Sequence, residues 1–126
     1  MTSPIIHRLG DLQLKIMKVL WAHPETSVSD VHKAMEHHLA YTTIATMLRK
    51  MEEKGLVKHT IDDRKFLYSP LIKEEEVTRD MSEHLVEGLF EGSLTDMVSH
   101  LLNTHEVSRS ELDRLEKLIA ERKKKL

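Results

Sequence analysis

Cysteine is absent from all 126 residues. That removes disulfides, thiolate metal sites and cysteine nucleophiles together, and it is compatible with a reducing cytoplasm. No apolar run approaches the roughly 18 residues that a bilayer span requires, and Met1–Ile6 lacks the basic-then-apolar layout of a secretory signal. The expected setting is cytoplasmic. Catalytic signatures are missing too: no glycine-rich phosphate loop, no Gly-x-Ser-x-Gly elbow, and no His-x-x-x-His or His-Glu-x-x-His pair occurs. His37 and His38 are neighbours that point apart on a helix. The helix spacing of His32 and Glu36 offers two metal ligands at best, a pairing that is usually incidental on a surface. The chain therefore reads as a non-enzyme with no cofactor and no metal, leaving pH or metal sensing by its histidines as a secondary idea.

What is present is 40% apolar and 32% charged residues, enough for a packed core in one domain or in a small domain with an appendage. The net charge of −2 is unevenly spread. Residues 1–70 hold ten Lys/Arg against eight Asp/Glu and six of the nine histidines, whereas 71–126 hold nine against thirteen. Phosphate contact, if any, belongs to the first part.

Leu9, Leu12, Ile16, Val19 and Leu20 recur at helical spacing, with Met17 and Trp21 widening the stripe, and predict a helix from about Leu9 to Ala22 that Pro24 stops. Ser29 is the expected N-cap of a second helix, Asp30 to about His37, with Val31, Ala34 and Met35 inward and Val28 forming a one-bridge strand before it.

A third helix is predicted from about Thr42 to Lys54, with Gly55 as its left-handed C-cap. Ile44, Met47, Leu48 and Met51 share one apolar quadrant. Thr42, Thr46 and Arg49 fall opposite, flanked by Thr43, Ala45 and Lys50. Short hydroxyl side chains let a helix enter the major groove, and arginine reaches guanine or phosphate. The bland alternative is an ordinary solvated face. Leu56–Ile61 and Lys65–Ser69 then read as two strands joined by the turn Asp62-Asp63-Arg64. Three helices followed by a ribbon with a charged tip is the order of a winged helix, whose wing cations meet phosphate; here these are Arg64 and Lys65.

Beyond Pro70 the pattern is helical. Val77, Met81, Leu85 and Leu89 repeat at i+4 in a helix predicted over Lys73–Glu91, which Gly92 ends. Ser93 caps a next helix bearing Leu94, Met97, Val98, Leu101 and Leu102. A capping box, Ser108-Arg109-Ser110-Glu111, opens a last one with Leu112, Leu115, Leu118 and Ile119. So short a segment has difficulty burying this much apolar face alone, so pairing with a second copy is expected; the alternative is folding back on the winged helix. The basic tail Arg122–Lys125 suits a helix C-terminus. The expected architecture is mainly α with a small β-hairpin: a winged helix-turn-helix DNA-binding domain over 1–71, then a helical dimerisation domain over 72–126.

Nearly the whole chain resembles the penicillinase and methicillin-resistance repressors (BlaI/MecI). The likeness rests on Leu9-Gly10-Asp11-Leu12 through Leu20-Trp21 and on Ser27-Val28-Ser29-Asp30-Val31. It rests most on Ala40-Tyr41-Thr42-Thr43-Ile44-Ala45-Thr46-Met47-Leu48, with Lys54-Gly55-Leu56-Val57 and Phe66-Leu67-Tyr68-Ser69-Pro70 behind it. The resemblance implies a homodimeric repressor on a dyad-symmetric double-stranded DNA operator. It places Thr42, Thr43, Thr46, Arg49 and Lys50 in the groove and Arg64 and Lys65 on the wing, and makes the C-terminal helices the dimer. In the antibiotic-resistance members it also implies a membrane sensor protease pathway that cuts an Asn-Phe bond. The matching position here is Asn103-Thr104, where the aromatic residue is missing. Copper-responsive relatives use paired Cys-x-Cys motifs, so that chemistry is excluded. Asp63 stands where many relatives have a wing glycine, a place aspartate tolerates by turning left-handed. The competing reading is a winged-helix module that grips protein instead of DNA.

Overall fold

The computed structural model describes residues 9–126, so the reading of Met1–Ile6 lies outside the described residues. The elements run α1 (Asp11–Ala22), β1 (Thr26–Ser27), α2 (Val28–Ala34), α3 (Tyr41–Glu53), β2 (Val57–Asp62), β3 (Lys65–Pro70), α4 (Glu74–Phe90), α5 (Leu94–Thr104) and α6 (Arg109–Lys124). Among the described residues helices dominate, and the first unit holds one small antiparallel sheet of order β1-β3-β2. Two compact units divide the chain, one ending at His84 and the other covering Leu85–Leu126.

In the first unit the amphipathic stripes meet in one core. Ile16, Met17 and Leu20 of α1, Val31 of α2 and Ile44, Leu48 and Met51 of α3 are fully buried, joined by Leu56 and Val57 ahead of the wing. Burial of each such side chain contributes roughly 1.5–3 kcal/mol. The Trp21 Nε1–H donates to the Ile72 carbonyl at 2.9 Å, tying α1 to the linker that follows β3. With the linker held there, the first turns of α4 face the same core. Val77 is 2% exposed within it and Met81 packs against it. Val77 therefore buries its apolar surface inside the first unit, while Met81 stays half-buried. The compact unit accordingly extends past the 71/72 boundary that composition suggested, taking in the start of α4.

Two local expectations shift. The predicted hairpin gains a third strand, because Thr26 and Ser27 pair with Tyr68 and Leu67. Val28 is thereby the first residue of α2 and not a strand residue, and the cap is Ser27, whose Oγ accepts the Asp30 N–H at 3.1 Å, instead of Ser29. Pairing at the sheet edge fixes Ser27 in the extended conformation that an N-cap needs. At its other end α2 stops at Ala34, short of His37, since Glu36 and His37 take φ of 56° and 57°. Without helix there, His32 and Glu36 are no longer one turn apart. Glu36 lies 3.4 Å from His38, and His32 Nε2–H donates to the Leu39 carbonyl at 2.7 Å.

In the second unit α5 and α6 are capped as their serines suggest: Ser93 Oγ accepts the Asp96 N–H, and Ser108 Oγ the Glu111 N–H, both at 3.1 Å. Neither helix buries a single residue. Leu85, Leu89, Leu94, Val98, Leu101, Leu102 and Leu112 are all exposed, with Met97 and Leu115 half-buried. Among the described residues no helix is long and apolar enough to cross a membrane.

Candidate nucleic-acid interface

The position of α3 is set from its buried side. Ile44, Leu48 and Met51 lock one face into the core, and a Schellman ending fixes the C-terminus: the Leu56 N–H donates to the Met51 carbonyl and the Gly55 N–H to that of Glu52, each at 3.0 Å. Gly55 sits at φ +78°, a left-handed conformation that side chains resist. Opposite the core face, Thr42, Thr43, Arg49 and Lys50 are exposed and Thr46 is half-buried. The N-cap is Ala40, which supplies no side-chain acceptor, and the first turn holds no acid. The positive end of the helix is thus left uncompensated.

β2 and β3 pair in register from Val57↔Pro70 to Asp62↔Lys65, leaving a two-residue tip. Asp63 and Arg64 both have positive φ, 48° and 66°. Two left-handed residues in succession define the type I′ turn, whose twist matches that of the strands it joins. The left-handed aspartate anticipated from the missing glycine is present, and Arg64 shares the conformation. Arg64 and Lys65 are exposed at the tip.

These residues line two clefts. One, of about 300 Å³, is walled by Thr42, Thr43, Thr46, Met47 and Lys50. The other, of about 560 Å³, lies between the starts of α2 and α3 and the wing, and brings Arg49 together with Arg64 and Lys65. The sequence-predicted set is therefore split: Arg49 joins the wing cations, while Lys50 joins the threonines.

Sequence reasoning gave no site role to Tyr41, Glu52, His59, Phe66 and Tyr68, which also line the second cleft. His59 Nδ1 is 2.7 Å from both Glu52 carboxylate oxygens, and the His59 backbone N–H donates to Oε2 at 3.2 Å. The imidazole stacks on Phe66, with centroids 4.1 Å apart and planes within 5°. Burial pushes the Tyr68 phenol above its usual value, the Glu52 carboxylate and the Tyr41 phenol adding to this and Arg49 opposing it. Tyr68 is consequently a neutral donor at physiological pH. Alternation along β2 and β3 places His59, Phe66 and Tyr68 on one face of the ribbon. The Glu52–His59 spacing of seven residues carries no signal, because it spans a helix end and a strand start. Among the described residues no group of three or more His, Cys, Asp or Glu side chains is placed to hold a metal ion.

A grooved surface of this kind, an exposed helix beside a basic ribbon, invites comparison with known proteins, and the penicillinase repressor family model matches residues 9–121. The chain belongs to the penicillinase repressor family. It is 29% identical over 120 residues to the penicillinase repressor of Bacillus licheniformis, with 94% of each chain covered. Against the transcriptional regulator BlaI of Mycobacterium tuberculosis it is 34% identical over 118 residues, covering 90% of this chain and 84% of the relative. Among solved structures, the DNA-binding domain of the repressor BlaI superposes with a TM-score of 0.51 at 32% identity, covering 60% of this chain and 93% of that one. A mutant of Staphylococcus aureus MepR bound to an oligodeoxyribonucleotide gives a TM-score of 0.53 over 93% of this chain and 79% of its own, a likeness of fold at 16% identity. This penicillinase repressor family member thus has a winged helix of the kind its sequence pattern implied.

Proposed function

We propose that the chain is a transcriptional repressor that acts as a homodimer on a dyad-symmetric double-stranded DNA operator in the cytoplasm. The observation that carries this is the arrangement around α3. A ridge of exposed Thr42, Thr43 and Lys50 with half-buried Thr46 stands beside a groove into which Arg49, Arg64 and Lys65 converge, in a member of a repressor family. Threonines and Lys50 meet base edges in the major groove, Arg49 meets a guanine or a phosphate, and the wing cations meet backbone phosphate. No bond is made or broken in this activity, so no catalytic residue and no cofactor is called for.

Dimerisation is supported by α5 and α6 burying no residue of their own while Leu94, Val98, Leu101, Leu102 and Leu112 stand exposed. A second copy covers such a face without any new sequence. The exposed Asn103–Thr104 bond lies in the last turn of α5. Cleavage there by a sensor-linked protease would detach α6, with Leu112 and Leu115, and so release the operator.

The test is a fluorescence-anisotropy titration of a duplex from upstream of the chain's own gene against a scrambled duplex. The expected result is a preference of about 10³-fold at near-physiological salt, two chains per duplex, and weakened binding by a folded Arg49→Ala variant. Equal or undetectable binding to both duplexes would replace this reading with a winged-helix module that grips protein.

A further inference from the structure

His59 is unused by the reading above, yet it sits in the wall of the groove where Arg49, Arg64 and Lys65 converge. The carboxylate of Glu52 only accepts, and at 2.7 Å it fixes the ring tautomer, taking Nδ1–H. Stacking on Phe66 fixes the ring plane. Among the described residues Nε2 has no hydrogen-bond partner. A neutral imidazole held in this way presents a lone pair to the groove. A protonated one presents a donor.

We propose that His59 is a phosphate-binding residue whose Nε2 takes up a proton as DNA enters the groove, so that an imidazolium bridges Glu52 and a backbone phosphate. The inference rests on the groove reading above. Glu52, Phe66 and Tyr68 contact the ring, and Arg49 from α3, Tyr41 at the start of that helix, and Arg64 and Lys65 from the wing line the same cleft. Of these, Glu52 favours the imidazolium and the three cations oppose it; Tyr68 stays neutral, its phenol pushed up by burial. A phosphate brought against Arg49 and the wing neutralises the cations and adds a second anion beside the ring, which tips the balance towards protonation. A carboxylate that would otherwise repel DNA is thereby screened at the moment of contact. The sign follows from linkage: a proton bound only in the complex makes affinity highest at low pH and lowers it as pH rises through neutrality.

The experiment measures the affinity of the full chain for the upstream and scrambled duplexes between pH 6.5 and 8, at constant ionic strength, for wild type and His59→Gln. The window spans the range in which histidine side chains as a class exchange protons. Wild-type affinity should fall roughly three- to tenfold more per pH unit, for each protomer on the duplex, than that of His59→Gln. The excess should appear on both duplexes, because a phosphate contact carries no base information. The other histidines cancel in the difference. Binding enthalpies in two buffers of different ionisation enthalpy give the proton count directly on wild type, so the test does not hang on one variant. About one proton per protomer is expected, and none from His59 in a folded His59→Gln. Equal pH slopes in the two folded proteins, or no proton uptake by wild type, would overturn the proposal while leaving the groove reading standing. Failure of wild type to bind either duplex at any pH would overturn both.

Discussion

Replacing Arg64 by glycine should make the protein more stable and a poorer DNA binder, two effects with separate causes. Arg64 sits at φ 66°, a conformation that costs an L side chain roughly 1–2 kcal/mol and glycine nothing. Glycine is also freer in the unfolded chain, which offsets about 0.5–1 kcal/mol of that gain. The net stabilisation is about 0.5–1 kcal/mol, or a rise of roughly 2–8 °C in the melting temperature of a unit of this size. Binding moves the other way. Removing one phosphate-neutralising cation per protomer lowers the slope of log K against log salt by about 0.9, and by about 1.8 in a dimer. Between 50 and 200 mM salt, wild type should therefore lose roughly tenfold more affinity than Arg64→Gly. Differential scanning calorimetry reads the first effect and anisotropy at four salt concentrations the second. An unchanged or lowered melting temperature would refute the claim that the type I′ tip is strained at Arg64. An unchanged salt slope would refute the placing of its guanidinium on phosphate.

Gly55→Ala should destabilise the first unit by about 1 kcal/mol in a urea titration. A Cβ there meets nothing within 4 Å, so the whole cost is the backbone at φ +78°; a neutral result would mean that the helix ending rearranges freely. Leu101→Glu, on an exposed face of α5 (42% exposed), should leave the fold intact but convert a dimer to a monomer in sedimentation velocity and weaken operator binding. A Leu101→Glu chain that remains a dimer would move the interface off that face.

The fold was largely legible because its signals are local. Helical spacing of Ile16, Met17 and Leu20, the glycine after Lys54 and serines three residues ahead of Asp96 and Glu111 each act within one or two turns of chain, and α1, α3, α5 and α6 follow them closely. The errors arise where tertiary pairing decides. The local pattern named Ser29 as the cap of α2, and the pairing of Ser27 with Leu67, forty residues on, moves the cap to Ser27. Val77 carries the same i+4 signature as Leu85 and Leu89, but a hydrogen bond from Trp21 to the backbone at Ile72 turns its end of α4 onto the core. Periodicity shows that a face is apolar; it does not say what covers it.

The candidate site divides along the same line. Thr42, Thr43, Thr46 and Lys50 were readable as a unit because one helix face carries them all, and they line one cleft. Arg49 was grouped with them by helical angle, but it borders the wing because β2 leaves the Schellman turn at Gly55 and folds back along the α3 edge that holds Arg49 and Glu52. That same turn brings Glu52 against His59. A residue pair at this separation is invisible to any helix or strand period, since the chain reverses between its members. The consequence for function is directional. Lengthening the turn would move the wing cations relative to α3 and break the Glu52–His59 hydrogen bond together, so the place of Arg64 and Lys65 and the orientation of the imidazole are set by one local geometry.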